Sequence, residues 1–462
     1  MPPNAKSFPN AFEAAEDEED NKAENIVPES YFAKGYTGNQ PLVTPLRWLR
    51  AKRKLDGAEG LWRVHDKLYD LSAFNHPGGQ LWLEILQGTD ITEHYEIHHQ
   101  TGHPEILQKY FVREARTPRI SPFTFHEDGF YKSFKRRAKV ILEKVGSGPE
   151  RSNKLLVDAN AIVFLLLLTL CGTYSTWSIA LSAGVAMTFL VLSSHNFVHQ
   201  KINFRSIYMD FSVFGSLNWR LQHCLSHHVF PNTIQDVEVT GIIPLLDFLT
   251  RPKNLFQKYL YPLTITVVTP LIFPIVTPFL TTYWEIYQGN IKFRTEHSFL
   301  PLEILYAASL SGSLWTGIWA FWVIHGFTAV LLIFIGKAAG HHHPEVYSDG
   351  DRLRPENQRD WGIFQLDTVV DRPEVVERGP SLFLLGHHLL HHLVPAVDDS
   401  KLIYLYPALL ETLEEFNLGY QFMPYYRCLY GMAAQLSKEK PFTRERPTDR
   451  SQLVKFVKSR SS

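Results

Sequence analysis

The sequence predicts two joined parts: a small N-terminal module and an all-α membrane domain of about four transmembrane helices. Three observations predict the membrane domain: long charge-free runs lying beyond residue 158, basic flanks on one side of them, and histidines crowded near their ends.

Composition sets the limits. The 462 residues leave room for two or three domains. A net charge of -1 gives no global basic field, which excludes nucleic acid as an expected partner. Cys171, Cys224 and Cys428 lie far apart and suit a reducing compartment. Residues 1–42 are polar and acidic with no apolar stretch, so we expect neither a signal peptide nor an anchor there, but a disordered tail. Residues 401–462 are expected to form a cytosolic C-terminal helix and a basic tail, with Lys438 to Arg460 reading as a charged, disordered end.

Each span is justified by length. Ala159 to Ser194 is 36 residues without a formal charge, enough for two tight crossings turning near "GTYSTWS". Tyr259 to Trp284 is long enough for one crossing despite Pro262, Pro270, Pro274 and Pro278, because neighbours re-satisfy freed backbone groups. Ile304 to Gly336, 33 residues, is too long for one upright span and short for two. Lys132, Lys135, Arg136, Arg137, Lys139, Lys144, Arg151 and Lys154 precede the first run, and Lys201, Arg205 and Arg220 follow the second crossing. Positive residues favour the cytosolic side, so both flanks are expected there.

Histidines fall on this map in clusters: "HNFVH" (His195, His199), "HCLSHH" (His223, His227, His228), "GHHHP" (His341, His342, His343) and "GHHLLHH" (His387, His388, His391, His392). An even number of crossings between residues 229 and 340 brings all of them to one membrane face. That parity favours one span within Ile304 to Gly336, with the surplus residues along the interface. Residues three or four apart share a helix face, so His195 with His199, His223 with His227, and His388 with His391 and His392 each present imidazoles in one direction. Any single histidine is more often a satisfied polar side chain; clusters meeting on one face point to a metal. Imidazole suits zinc, copper, iron and nickel, and the supply of eight or nine ligands with one nearby cysteine argues for two ions. His325, alone in an apolar run, reads as a helix-packing hydrogen bond, and His126, His297 and His387 stay unassigned.

Upstream, "LYDLSAFNHPGGQLWLEILQGTDITEHYEIHH" (68–99) sets His76 in a Pro-Gly-Gly turn where backbone can pass close to a flat ligand. Leu71, Phe74, Leu81, Leu83, Leu86, Tyr95, Leu107 and Phe111 can line a crevice, with a second histidine among His98, His99 and His103 on its other wall.

On "YDLSAF", "HPGG" and "GTDITEHYE", positions 43–115 resemble a cytochrome b5 domain. The resemblance implies a small α+β fold holding haem b between His76 and a second axial histidine, for which His99 matches the spacing best and His98 is the rival. The "FNHPGG" stretch is two residues shorter than the family's usual spacing. Residues 155–400 resemble the membrane fatty-acid desaturase and hydroxylase family, joined to the first domain by a linker and amphipathic helix at 116–154. The matching boxes are His195/His199, His223/His227/His228 and His388/His391/His392. One residue of "HHH" matches the family's additional ligand, and His342 is the assignment made here among the three. Two departures stand out: His388 replaces a frequent glutamine, and Asn196 replaces a frequent aspartate, removing an acidic group beside the first box.

What the resemblance implies is a di-iron, front-end type desaturase in which no residue beyond the metal ligands is catalytic. Electrons from NADH, through cytochrome b5 reductase and the haem, would meet dioxygen and a fatty acyl lipid at the two irons. It also implies an endoplasmic reticulum membrane, with haem domain and boxes in the cytosol. A hydroxylase with the same boxes and a non-catalytic membrane haem carrier are the alternatives.

Overall fold

The computed structural model describes residues 30, 32, 43–99, 104–201, 203–376, 378–441 and 448–461. The N-terminal module is α+β: an antiparallel sheet in the order β1 (Trp62–Val64), β2 (Lys67–Tyr69), β3 (Phe111–Glu114), with Trp62 opposite Tyr69 and Leu68 opposite Arg113. Helices Pro45–Leu55, Gln80–Leu86 and Thr92–His98 surround it. The first begins where Thr44 accepts from the Arg47 N–H and Pro45 needs no partner for a missing N–H. In the "HPGG" turn Gly79 adopts φ 115° and donates to the His76 carbonyl, a conformation that side-chain-bearing residues rarely take.

The linker is a strap rather than a loose tether. Its helix, Phe130–Val145, buries Phe130, Tyr131, Phe134 and Leu142. Tyr131 Oη donates to the Leu393 carbonyl (3.0 Å), and Lys135 Nζ donates to the Glu96 carbonyl (2.6 Å), so one helix grips both parts of the chain.

Among the described residues, four helices are long and apolar enough to cross a membrane: Arg151–Tyr174, Trp177–Val198, Tyr261–Tyr287 and Leu314–Ala339. The protein is a multi-pass membrane protein. The first two turn at Ser175, as "GTYSTWS" predicts, and pack along each other. The third carries its prolines through π-helical turns at Thr264–Val268 and Phe279–Tyr283. Freed backbone is re-satisfied: Trp322 Nε1 donates to the Pro270 carbonyl (3.1 Å) and Thr269 Oγ1 to that of Thr264 (2.9 Å).

The surplus residues before the fourth span differ from expectation. They form a helix, Phe299–Ser311, that packs between the first and fourth spans rather than along the interface. Glycine makes room for it, since a Cβ at Gly172 would lie 3.0 Å from Ala307 and one at Gly317 would strike the Ile304 carbonyl. Glu303 on this helix meets His325 Nε2 at 2.9 Å, the helix-packing hydrogen bond expected of that histidine.

The structure describes parts of both segments that were expected to be disordered. Ser30, within the acidic tail, donates to Asp349 (2.5 Å), and Phe32 is buried against Phe123, Phe230 and Phe364; the rest of that tail lies outside the described residues. Ser451–Ser461 is a helix, not a loose end, because Leu453 is buried and Phe456 packs on the Tyr406 ring at 4.9 Å.

Candidate metal centre and haem crevice

Each box sits where a secondary-structure element ends at the bundle's mouth. His195 and His199 close the second span. The second box lies on a π-helical stretch, Arg220–His227, whose wider winding bonds the His228 N–H to the His223 carbonyl. That winding brings both the fourth and fifth residues after His223 over it, which the spacing 223, 227, 228 fits better than an α-helix does. The third box begins the helix His388–Leu393, where the Asp371 carboxylate accepts from the His388 and Leu389 N–H groups.

These elements bring nine imidazoles together. His195, His199, His223, His228 and His391 form one group, and His227, His341 and His392 another, with the donor atoms of each group within 4.8 Å of one another. His388 joins the second through His341, Nε2 to Nε2 3.1 Å. Other Nε2 pairs are equally close: His195 and His223 at 2.6 Å, His228 and His223 at 3.0 Å, His391 and His195 at 3.2 Å, His341 and His392 at 3.1 Å.

The surroundings fix which nitrogen carries the proton. Nδ1 of His223 meets the Glu238 carboxylate, and that of His227 meets Asp236 at 2.8 Å. Those of His341, His388 and His392 meet the Thr368 carbonyl (3.1 Å), the Ala339 carbonyl (3.1 Å) and Gln365 Oε1 (3.0 Å). A neutral imidazole that donates from Nδ1 presents a bare lone pair at Nε2. Lone pairs about 3 Å apart repel, and a cation at ordinary imidazole bond length, roughly 2.0–2.1 Å, removes the conflict. Protons do not supply that cation readily: burial first, then neighbouring imidazole charges, holds His228, His391 and His392 well below the ordinary histidine range. The donor set fits metal.

The assignment among "HHH" changes. His341 enters the cluster, whereas His342 stacks on Phe248 at 3.8 Å, 9° between planes, and His343 accepts from the Glu345 N–H. Gly340, with φ 139°, turns the chain directly before His341.

Sequence reasoning missed the residues that hold the ligands. Asp236 and Glu238 follow the second box closely, and an acidic pair so near a histidine box was an available signal. Gln365 and Thr368 come from the helix Trp361–Thr368, which sequence gave no reason to bring here. Asn196 itself meets a carboxylate: its Nδ2 donates to Asp398 at 2.6 Å, and Gln200 donates to the same oxygen at 3.0 Å.

A cavity of about 430 Å³ starts at His195, His223, His227, His341 and His388 and runs between the third and fourth spans past Phe273, Val276, Leu280 and Leu332. Its size and mainly apolar wall are those of a small-molecule site.

In the first module the His76 and His99 rings face each other at 5.9 Å between centroids, 87° between planes. His99 Nδ1 donates to the Tyr95 carbonyl (2.9 Å). His76 Nδ1 is buried with no partner among the described residues. His98 turns away, its ring towards Trp82, and His103 lies outside the described residues. Leu71, Leu83 and Leu86 are buried in the core and Phe74, Tyr95 and Leu107 pack on it, while Phe111 is exposed and covers no crevice. Two imidazoles with ring centroids 5.9 Å apart, His76 Nδ1 among them without a partner among the described residues, fit the axial positions of a haem.

A family model for fatty acid desaturases matches residues 172–424, and one for the cytochrome b5-like heme/steroid binding domain matches residues 49–116. The chain belongs to the fatty acid desaturase family, with a cytochrome b5 domain preceding it. It is similar to the "Cytochrome b5-related protein" of Drosophila melanogaster, 36% identical over 393 residues, which are 82% of this chain and 88% of that one. That likeness is the one expected from "DWGIFQLDTVVDR" and "LIYLYPALLETLEEFN". The protein of the same name from Drosophila virilis is 44% identical over 123 residues, 26% of this chain and 86% of its own. "Delta(5) fatty acid desaturase A" of Dictyostelium discoideum is 23% identical over 78% of this chain and 86% of its own. No solved structure matches.

Proposed function

We propose that this protein desaturates fatty acyl chains, with His195, His199, His223, His227, His228, His341, His388, His391 and His392 holding two irons and His76 and His99 holding haem b. The observation that carries the reading is the convergence of these Nε2 lone pairs at the end of an apolar cavity. Bound there, the irons would supply dioxygen activation and hydrogen removal from an unactivated C–H bond, and the haem one-electron transfer.

The chain's own residues do the rest. Phe273, Val276, Leu280 and Leu332 hold an acyl chain and keep water from it. Asp236, Glu238 and Gln365 hold His227, His223 and His392 in one tautomer, so the ligand set is preorganised. The strap keeps the haem domain beside the centre at a high effective concentration. NADH, through cytochrome b5 reductase, is the electron source. With the basic flanks in the cytosol, the centre faces the cytosolic side of the endoplasmic reticulum membrane.

Expression in a host with defined acyl chains, followed by lipid analysis, tests the reading. The expected result is a new double bond with the intact chain and none with His228→Ala. Hydroxylated product would reassign the outcome to hydroxylation at the same centre, and no product from an iron-replete protein would leave a haem carrier.

A further inference from the structure

His98 and Trp82 have no role in ligation, yet they occupy the contact between the two redox sites. His98 is peptide-bonded to His99, and its ring lies 6.2 Å from that of Trp82. Trp82 packs against both the haem-domain core and the core of the membrane helices that contains Cys224. The Arg220 guanidinium sits over the Trp82 ring, 5.6 Å from its centroid. Arg220 opens the π-helical stretch that carries His223, Cys224 and His227, and Cys224 Sγ lies 3.8 Å from His199 Nε2. His98 Nδ1 donates to the His94 carbonyl (3.1 Å), so its Nε2 is a buried lone pair without a partner among the described residues. On its far side His98 borders Val394 and Val397, the segment that follows the third box.

A domain contact needs only apolar packing. Here it places, against the cores of both parts, a tryptophan beside an imidazole that is peptide-bonded to a haem ligand and keeps one nitrogen without a partner among the described residues. Aromatic π orbitals couple redox centres more strongly than saturated side chains at the same separation.

Resting on the function proposed above, we propose that His98 and Trp82 are the coupling residues through which electrons pass from the haem to the metal centre. With both groups bound, the haem iron would give up one electron, going from ferrous to ferric, and one ferric iron of the pair would take it up and become ferrous. NADH, through its flavin-containing reductase, replaces that electron. His98 and Trp82 break and form no bond and keep their protons.

The test uses the full-length protein in detergent, loaded with haem and iron. The haem is reduced by NADH and reductase, then mixed with oxygen and acyl substrate, and its reoxidation is followed by absorbance. Trp82→Leu and His98→Gln are expected to slow reoxidation at least about tenfold, while Trp82→Phe stays within about threefold of wild type. Haem reduction rate, haem spectrum, haem potential and iron content are expected to be unchanged in all three. Unchanged reoxidation in Trp82→Leu and His98→Gln at full iron content overturns the coupling role, as does a shifted haem potential that accounts for the slowing. Should Trp82→Leu not fold, His98→Gln and Trp82→Phe decide alone. In wild type, reoxidation that is indifferent to iron removal overturns the proposed function and this inference together.

Discussion

The proposed haem site and the proposed metal centre would solve the same problem, holding a metal by imidazole, in opposite ways. The haem site is local: His76 and His99 lie 23 positions apart in one small module, and the His99 ring is fixed by a hydrogen bond to a near neighbour's carbonyl. The metal centre draws ligands from His195 to His392, and five of its imidazoles are fixed by side chains or carbonyls from other segments. Preorganisation of that kind lets a charged centre persist at the edge of a membrane bundle, where an unfixed ring would turn its polar atoms away. The crevice needs less, because the flat apolar face of its ligand supplies most of the fit.

The largest expected effects separate the two sites. Ala at His228 or His392 should remove iron beyond the haem and all lipid product, with the haem spectrum intact. His76→Ala should do the reverse, losing haem absorbance while iron analysis still finds the second centre. Loss of both groups in either variant would mean that the sites fold as one.

A smaller effect sharpens the claim of preorganisation. Asp236→Asn keeps the size of the side chain that fixes His227 but loses its charge, and should weaken iron retention or activity by about 10- to 100-fold. Next comes the contrast within "HHH". His341→Ala should lower iron content, whereas His342→Ala should leave it intact and cost only stability, about 1 kcal/mol for the lost stack on Phe248, read from thermal unfolding.

The last effect concerns the strap between the two regions. Burial raises the Glu96 pKa, but hydrogen bonds from His65 and Lys132 and the charges of Lys132 and Lys135 bring it from 4.5 down to about 2. A carboxyl with a depressed folded pKa gives stability that is complete above 4.5 and is lost as pH falls toward 2. The gross size is up to ~3 kcal/mol. Glu96→Gln should therefore lower stability at pH 7 and flatten the acid limb of the unfolding profile between those values; an unchanged acid limb would remove Glu96 as the lock.

Much of this was legible because the physics was local. Charge-free length announced four spans, and crossing parity announced that the boxes meet on one face. Register along single elements announced which imidazoles point together. What stayed hidden depends on chain segments far apart in sequence. Asp398 accepts from Asn196, Gln365 fixes His392, and His341 rather than His342 enters the cluster, directly after the turn at Gly340. Helix Phe299–Ser311 was misplaced for the same reason. Its polar Glu303 finds His325 on another span, a partner that no hydropathy pattern reveals.

The claim on which everything rests is that the converging Nε2 lone pairs are a metal site. Iron and haem are to be quantified in the same purified sample. The account predicts two irons in addition to each haem iron, falling to the haem iron alone in His228→Ala at unchanged haem content. Wild-type protein that carries its haem iron and nothing more, after expression in iron-replete medium, would contradict it.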